Sequence, residues 1–472
     1  MPALDAAIRR SQLISTFGVG ALVPVGNESF MVAGLDHWPM GPTDLSEPRL
    51  ERVLGKQGFR QPPAGEHAPR VPVVRFPLFH TCPSCHFLAR HWTIAESGTN
   101  RCRDCAADLV PSRFVVACDH GHIDDFPYMQ WVHAGTQWTD NCKLTLTTTG
   151  VSAALRDVVV SCTCGSSRSL DGAFDRRELL QVAPRCRGVR PWLRDKEDGC
   201  AAQLRTLQRG ASNVWFGETR SALSIPPWSQ AAFQAISRFW PMLRNITDPE
   251  QLADLLDGMG GEQVLGAPVE ELVQAAGARR ADETGDQQFD ETLFRQQEYD
   301  ALLAGRKESG AADEFVAVPE AVPASLADHL DAVVLAHRLR EVRVLVGLTR
   351  LRPPGPGSDT DRESAPLSLA PLSWLPGIEV RGEGLFLRLA LERLVSWEGR
   401  DEVVDRVGRL EANRQRVPNQ QDDRPVTPRF VLLHTFAHAL IDMLSLDAGY
   451  PAASLRERLY VSDEMCGVLI YT

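Results

Sequence analysis

The sequence has no uninterrupted run of about eighteen apolar residues, the length that a membrane-spanning helix requires. Its first ten residues lack the basic region followed by an apolar stretch that marks a secretion signal. The chain also lacks a Gly-x-x-x-x-Gly-Lys-Ser/Thr loop and an Asp-Glu-x-His box, the nucleotide-binding motifs of helicases. We therefore expect a cytoplasmic protein that makes no membrane contact and hydrolyses no ATP.

Lysine is scarce, with four residues in 472, so nearly all positive charge is arginine. The net charge of −11 is unevenly distributed. Residues 248–331 hold 20 Asp and Glu against 5 Arg and Lys, a balance of −15, which leaves +4 for the remainder. Residues 156–220 hold 12 basic and 8 acidic side chains. The acidic stretch is either a solvated surface or a face for a basic partner.

Two Cys-x-x-Cys pairs carry the clearest chemical signal. Cys82 and Cys85 are separated by sixteen residues from Cys102 and Cys105. This spacing is typical of a four-thiolate zinc ribbon, in which each short turn directs two sulfurs at one ion. Disulfides are the alternative, but they are rare in proteins of this size that lack a secretion signal. A closed four-thiolate site leaves no position for substrate, so it predicts a structural Zn²⁺ ion rather than an enzyme.

Further cysteines and histidines lie between residues 118 and 200. We expect a second closed zinc site from the thiols of a basic, loop-rich region, namely Cys162, Cys164, Cys186 and Cys200. A different site would use Cys118, one of His120 and His122, His133 and Cys142. The simplest alternative for this last set is a strand-end turn with a buried thiol and hydrogen-bonded histidines.

Two histidine patterns leave a metal-dependent hydrolase or nuclease open as the alternative function. His120-x-His122-x-Asp124 follows a predicted strand, as in the metal-binding loop of metallo-β-lactamase-like hydrolases, although Asp125 stands where that family has a histidine. His434 and His438 fall on one face of a predicted helix, with Asp442 one turn further. Such a pair more often forms hydrogen bonds within a packed interface.

Arg205 and Arg209 are the candidate DNA-binding residues. If this segment is helical, the two side chains lie one turn apart on one face, and Trp215 and Phe216 follow closely. Arginines that contact phosphates beside aromatic rings that stack on bases form a typical nucleic-acid surface. The alternative is that the arginine stems pack against a domain edge.

The pattern along the chain predicts a multidomain α+β protein. We expect a zinc-ribbon-containing N-terminal half with short strands, a helical middle and a mixed α/β C-terminal domain. The predicted segments are an α/β part at 1–80, zinc-binding modules at 81–225, an acidic helical domain at 226–352, a linker at 353–368 and a C-terminal domain at 369–472. The predicted helices include Glu262–Ala275, Leu326–Leu345, a long charged helix over about Ala390–Arg416 and a final helix at Thr427–Leu444. The predicted strands include Arg113–Ala117 and Asp157–Ser161.

Several of these segments resemble the DrmB family. The resemblance is carried by Arg9–Val23, Ala117–Pro127, Leu207–Asn213, Gly382–Phe386, and Leu433–Ile441 with Ala453–Tyr460. The C-terminal part is similar to the zinc-binding domain attached to MrfA-type helicases. That family pattern continues with a glycine-rich loop and further cysteines, so we expect the present sequence to be truncated after Thr472.

The resemblance implies a function. DrmB-like proteins are helicase-associated subunits of DISARM, a bacterial anti-phage defence system, and they pair with DrmA, a superfamily-two helicase. We accordingly expect a non-catalytic, zinc-binding scaffold whose partners are a DrmA-like helicase and, through the complex, DNA.

Overall fold

A computed structural model describes residues 7–39, 41–65, 68–134, 137–149, 154–283, 291–307, 313–354, 364–416 and 426–472. Within these ranges the chain forms 13 α-helices and 21 strands, which confirms the expected α+β class. The helices are α1 Gln12–Ser15, α2 Pro48–Val53, α3 His91–Ile94, α4 Tyr128–Val132, α5 Arg176–Val182, α6 Ala231–Leu243, α7 Pro249–Gly258, α8 Gly261–Leu265, α9 Val269–Glu283, α10 Glu291–Ala304, α11 Leu391–Glu398, α12 Asp401–Arg416 and α13 Pro428–Asp447.

The strands form five sheets within the described ranges. They are β1 Leu22–Val25, β2 Glu28–Val32, β3 Phe59–Arg60, β4 Val73–Arg75, β5 Phe79–Thr81, β6 Phe87–Arg90, β7 Val110–Pro111, β8 Phe114–Ala117, β9 Ile123–Asp125, β10 Leu144–Thr148, β11 Val158–Cys162, β12 Ser167–Ser169, β13 Val189–Arg190, β14 Asp195–Lys196, β15 Arg205–Gln208, β16 Phe216–Leu223, β17 Val316–Glu320, β18 Leu330–Thr349, β19 Leu375–Leu389, β20 Arg456–Val461 and β21 Cys466–Tyr471.

The largest sheet has seven strands, with β16-β18-β19-β21-β20 in spatial order. Strand β17 pairs with β18, and β3 pairs with β19 as the sheet's parallel pair. The long antiparallel pair of β18 and β19 runs from Leu330 opposite Leu389 to Val344 opposite Gly377. Buried Val342, Val344 and Leu345 of β18 join the main hydrophobic core.

The helix predicted at Leu326–Leu345 is wrong, because most of this segment belongs to β18. Its apolar residues also fit a helical spacing, which explains the error. The strand, however, contains five valines in 20 residues. β-Branched side chains pack well on a pleated surface and lose conformational freedom in a helix. The sheet partners on both sides of β18 therefore decided the outcome.

Three smaller sheets position the cysteine-rich part of the chain. One has the order β12-β11-β10-β6-β5-β7, a second has β15-β8-β9, and a third is the β13-β14 hairpin. The predicted strand at Arg113–Ala117 is present as β8, and that at Asp157–Ser161 is present as β11. Side chains of Trp131, Phe126 and Val160 are fully buried in the core that supports these sheets.

Helices dominate residues 231–304, as expected. Leu252, Leu272 and Phe233 pack in the shared core of α6, α7 and α9. The helix predicted over Glu262–Ala275 is interrupted by Gly266, which has φ +77°, and therefore forms α8 and α9. The single long helix predicted over Ala390–Arg416 is likewise two helices, α11 and α12.

A buried ionic network joins distant parts of the chain. Arg458 of β20 donates to Glu298 of α10 at 2.7 Å and lies 3.4 Å from Glu341 of β18, and all three side chains are at most 4% exposed. Arg49 of α2 pairs with Glu47 at 3.3 Å in the same buried region. Because a buried charge without a partner is costly, this network fixes these elements against one another.

The domain boundaries remain a prediction. The seven-stranded sheet, however, contains strands from several of the predicted segments. Its strands come from four of the predicted segments: β3 from 1–80, β16 from 81–225, β17 and β18 from 226–352, and β19 to β21 from 369–472. These segments therefore share hydrogen bonds and a core in the described structure.

Helix α13 matches the final helix predicted from the sequence, with Thr427 as its N-cap. It is also the one helix among the described residues that is long and apolar enough to cross a membrane by length and composition. Leu433 and Ala437 of α13 are buried, and the helix packs against β20 and β21.

Candidate metal centres

The ribbon cluster consists of Cys82, Cys85, Cys102 and Cys105, and the structure brings all four sulfurs within 4.8 Å of one another. Sγ of Cys82 lies 3.2 Å from Sγ of Cys105, and Sγ of Cys85 lies 3.8 Å from Sγ of Cys102. Sulfurs bound tetrahedrally at about 2.3 Å from one ion would be about 3.8 Å apart. The arrangement is therefore close to the one that a four-thiolate site requires.

The two Cys-x-x-Cys turns of the ribbon cluster have the same backbone geometry. After each second cysteine comes a residue with positive φ, His86 at +60° and Ala106 at +56°. The amide of His86 donates to the carbonyl of Cys82 at 2.9 Å, and that of Ala106 donates to Cys102 at 2.8 Å. Each turn thus directs two sulfurs to the same point. A hydrogen bond from the Cys82 thiol lowers the pKa of Cys105 to about 6, which favours a thiolate there.

The Cys118 cluster consists of Cys118, His122, Cys186 and Cys200. Nδ1 of His122 lies 3.4 Å from Sγ of Cys118 and 3.6 Å from Sγ of Cys186. The hairpin of β8 and β9 positions the first two ligands, and its turn passes through Gly121 at φ +76°. A hydrogen bond from Cys118 lowers the pKa of Cys186 to about 4.

Glu197 supports this cluster from outside. Nε2 of His122 lies 3.0 Å from a carboxylate oxygen of Glu197. A carboxylate that accepts from one ring nitrogen leaves the other nitrogen free to bind a metal, and metal-ligating histidines commonly have such a partner. Burial lowers the pKa of His122, but hydrogen bonds to Cys186 and Glu197 outweigh it and raise the pKa overall. No sequence pattern pointed to Glu197, because its contact with His122 depends on the β13-β14 hairpin.

The Cys162 cluster consists of His133, Cys142, Cys162 and Cys164. Nε2 of His133 lies 3.3 Å from Sγ of Cys164, and Nδ1 donates to the carbonyl of Met129 at 2.8 Å. Hydrogen bonding with Ser166 lowers the pKa of Cys164 to about 6. Each of the three clusters therefore contains one thiol that readily loses its proton, as metal binding requires.

The predicted grouping of Cys162, Cys164, Cys186 and Cys200 is wrong. The structure divides them between the Cys162 and Cys118 clusters, where each pair meets one histidine and one further cysteine. The alternative set of Cys118, His122, His133 and Cys142 is divided in the same way. The cause is strand pairing: Leu144 lies opposite Cys162, so the β10-β11 hairpin brings Cys142 to the Cys-x-Cys turn.

The His-x-His-x-Asp pattern does not form a hydrolase-like site in the described structure. Nδ1 of His120 lies 3.6 Å from Sγ of Cys200, at the edge of the Cys118 cluster. His122 belongs to that cluster, whereas Asp124 accepts a hydrogen bond from Nε of Arg187 at 2.7 Å. The carboxylate is thus paired with a guanidinium instead of facing the imidazoles.

The second histidine pattern forms a fourth group, which we call the imidazole pair: His434, His438 and Glu457. The helical spacing suggested Asp442 as the third member, but this group instead includes Glu457 from β20. Nothing in the sequence pointed to Glu457, since it lies 19 residues beyond His438 and meets the two histidines through the packing of α13 on β20.

Arg205 and Arg209 do not lie on a helix, because Arg205 begins β15 and Arg209 directly follows its end. Arg205 lies 4.0 Å from Asp119 and its side chain is 27% exposed. Burial lowers the pKa of Arg209. The indole N–H of Trp215 donates to the carbonyl of Val19 at 2.9 Å, so it already has a hydrogen-bond partner within the protein. Contact of these residues with DNA stays a prediction.

This chain is similar to known proteins, and one family model covers the part that holds the cysteine clusters. A family model described as a domain of unknown function, DUF8724, matches residues 9–216. The matched range contains every residue of the three cysteine clusters. The DISARM protein DrmB of Bacillus paralicheniformis is 28% identical over 474 residues, which covers 94% of this chain and 82% of that protein.

The chain is DrmB-like. The family resemblance seen in separate sequence motifs is thus confirmed along nearly the whole chain. The same chain carries three clusters of cysteine and histidine side chains that are candidate metal centres.

Proposed function

We propose that this DrmB-like chain is a non-catalytic, zinc-stapled scaffold that binds a DrmA-like superfamily-two helicase in the cytoplasm and supports DNA binding in anti-phage defence. The similarity to a DISARM protein over 94% of the chain carries this proposal. The sequence has no nucleotide-binding motif, which supports a non-catalytic role for this chain. The helicase would supply ATP hydrolysis.

Zinc is the ion that best fits the three cysteine clusters. One offers four sulfurs, and the other two offer three sulfurs and one imidazole each. Thiolate and imidazole are the ligands that Zn²⁺ prefers, and four of them complete a tetrahedral site. The ion would neutralise the thiolates and hold each loop at the edge of its sheet. These ions would stabilise the platform and would not activate water.

DNA would be held by the basic part of the same platform. Residues 156–220 carry an excess of four positive charges. Arg205 of β15 lies opposite Ala117, next to the Cys118 cluster, and Arg209 follows the other end of β15, where its amide donates to the carbonyl of Arg113. Arginine binds phosphates through several hydrogen bonds at once. The acidic residues 248–331 would face away from DNA, because like charge repels phosphate, and would offer a docking surface to a basic partner.

Co-expression with a DrmA-like helicase tests the partnership. We expect the two proteins to elute as one complex from size-exclusion chromatography in moderate salt, and the complex to bind double-stranded DNA more tightly than the helicase alone. Separate elution of the two folded proteins would contradict the scaffold proposal.

Charge reversal tests the DNA-binding surface. The double variant Arg205→Glu/Arg209→Glu should weaken DNA binding by the complex, and the slope of log K against log salt should fall by about 2, one for each lost phosphate contact. The matched control is Arg393→Glu/Arg406→Glu, which changes the same charge on the exposed faces of α11 and α12. Equal DNA affinity for both doubles would show that residues 205 and 209 do not contact DNA.

A further inference from the structure

The imidazole pair differs in composition and exposure from the three cysteine clusters. It combines two nitrogen donors and one carboxylate, His434, His438 and Glu457, whose side chains are 45%, 61% and 24% exposed. We propose that these three side chains bind one divalent transition-metal ion and leave at least one coordination position open to water. This inference stands independently of the helicase and DNA proposals.

The fold directs all three donor atoms to one point. His434 and His438 are four residues apart on α13, so both rings leave the same face of the helix. Their Nε2 atoms are 3.1 Å apart. Strand β20 faces this part of α13, and Oε1 of Glu457 lies 3.4 Å from Nε2 of His434 and 3.8 Å from Nε2 of His438. Donors bound at about 2.0–2.2 Å from one tetrahedral ion would be roughly 3.3–3.6 Å apart.

The hydrogen bonding of these side chains alone is incomplete. Between two neutral imidazoles that face each other through Nε2, one nitrogen can donate and the other accepts. The second oxygen of Glu457, Oε2, is buried and has no hydrogen-bond partner among the described residues. A buried carboxylate oxygen without a partner costs free energy. A cation bound between the three side chains would use both lone pairs of the imidazoles and would neutralise the carboxylate.

Neighbouring side chains preorganise the helix face. The ring of Phe430 stacks on that of His434, with centroids 5.5 Å apart and planes 8° apart. Thr427 caps the first turn of α13, and its side chain accepts from the amide of Phe430 at 3.2 Å. On the opposite face of β20, Arg458 is locked into the buried ionic network with Glu298. Both the helix and the strand that carry the donors are thus held rigidly, as a specific site requires.

The donor set indicates the kind of ion. Two imidazoles and one carboxylate suit Zn²⁺, Co²⁺, Ni²⁺ or Fe²⁺, whereas Mg²⁺ and Ca²⁺ prefer sites built from oxygen alone. Three protein ligands leave a four-coordinate ion with one open position, which is the pattern of reactive metal sites rather than structural ones. The exposure of both histidines gives water access to that position.

Cobalt titration tests the site in the full chain. The protein is purified with its cysteine-bound ions, treated with a mild chelator that removes exposed metal, and titrated with Co²⁺. We expect one additional Co²⁺ per chain, with d–d absorption in the visible region and no added sulfur-to-cobalt charge-transfer band. His434→Ala, His438→Ala and Glu457→Gln should each lose the additional ion, and Asp442→Asn, an exposed position one turn further along the same helix, should retain it.

Histidine modification of the wild-type chain provides a measurement that needs no variant. Co²⁺ should protect His434 and His438 from diethylpyrocarbonate, as read by mass spectrometry, and should leave exposed His337 equally reactive with and without metal. The proposal is overturned if the wild-type chain takes up no additional Co²⁺, if the Glu457→Gln and His438→Ala variants bind it as the wild type does, or if protection is the same at all three histidines.

Discussion

Nε2 of His133 lies 3.3 Å from Sγ of Cys164, although the two residues are 31 positions apart. This contact divides the middle cysteines into two mixed clusters, each with three sulfurs and one imidazole, instead of one four-thiolate site. It therefore changes the expected number of metal ions in the first half of the chain from two to three.

Zinc content is the direct consequence of that division. We expect three tightly held zinc ions per chain by elemental analysis after mild chelation. The single variants Cys164→Ser and Cys186→Ser should each lose one ion, and the double variant should lose two, because the residues belong to separate clusters. If the double variant loses only one ion, the two cysteines share a site and the grouping described here is wrong.

The ribbon cluster should contribute strongly to stability. Cys82→Ser removes a buried ligand, so we expect loss of one zinc ion and a fall in Tm of at least about 5 °C, since 1 kcal/mol corresponds to about 2–4 °C in a unit of 150–250 residues. Calorimetry and elemental analysis together measure this. The control is Cys466→Ala, a buried cysteine of β21 outside every described cluster, which should keep its full zinc content.

Arg350 holds the loop of the Cys118 cluster in place. Its guanidinium donates to the carbonyls of Gly121 at 2.8 Å and Gly20 at 2.9 Å, and also to that of Val214. Arg350→Met leaves these buried carbonyls without their donor, so we expect a loss of about 3 kcal/mol or more in the free energy of unfolding. Urea unfolding measures the change.

The variant Arg393→Met serves as the matched control for Arg350, since it makes the same replacement at an exposed position of α11. Its urea midpoint should stay close to that of the wild type. Equal midpoints for the two variants would show that the three carbonyl contacts of Arg350 contribute nothing measurable.

Asp125 makes stability depend on pH. Burial raises the pKa of Asp125 to about 7, against about 3.9 in the unfolded chain. Between these values the folded state holds a proton that the unfolded state has lost, so the wild type loses stability as pH rises from about 4 to about 7. Asp125→Asn removes this dependence and can still accept hydrogen bonds from the amides of Leu78 and Phe79.

We therefore expect Asp125→Asn to gain stability relative to the wild type as pH rises. Between pH 5.5 and pH 8 the difference in unfolding free energy should grow by about 2 kcal/mol in favour of the variant. Urea unfolding of both proteins at each pH measures the difference, and any effect of pH on the metal clusters is common to both. A difference that does not change with pH would contradict the raised pKa.

The sequence by itself determined the features that depend on short spacing. The turns of the ribbon cluster follow from two residues between paired cysteines, and α13 follows from its cap at Thr427 and its apolar repeat. The resemblance to the DrmB family could also be recognised from the sequence, because each motif that carries it is a contiguous run of residues.

The tertiary structure decided everything that depends on pairing between distant segments. The register of β10 on β11 brings Cys142 to the Cys162 cluster, and the packing of α4 on β11 brings His133 there. Sheet partners on both sides made the apolar repeat of Leu330–Thr349 a strand. Glu457 meets His434 only because β20 packs beneath α13. Such contacts depend on which surfaces bury each other, and a periodic pattern along one chain segment does not contain that information.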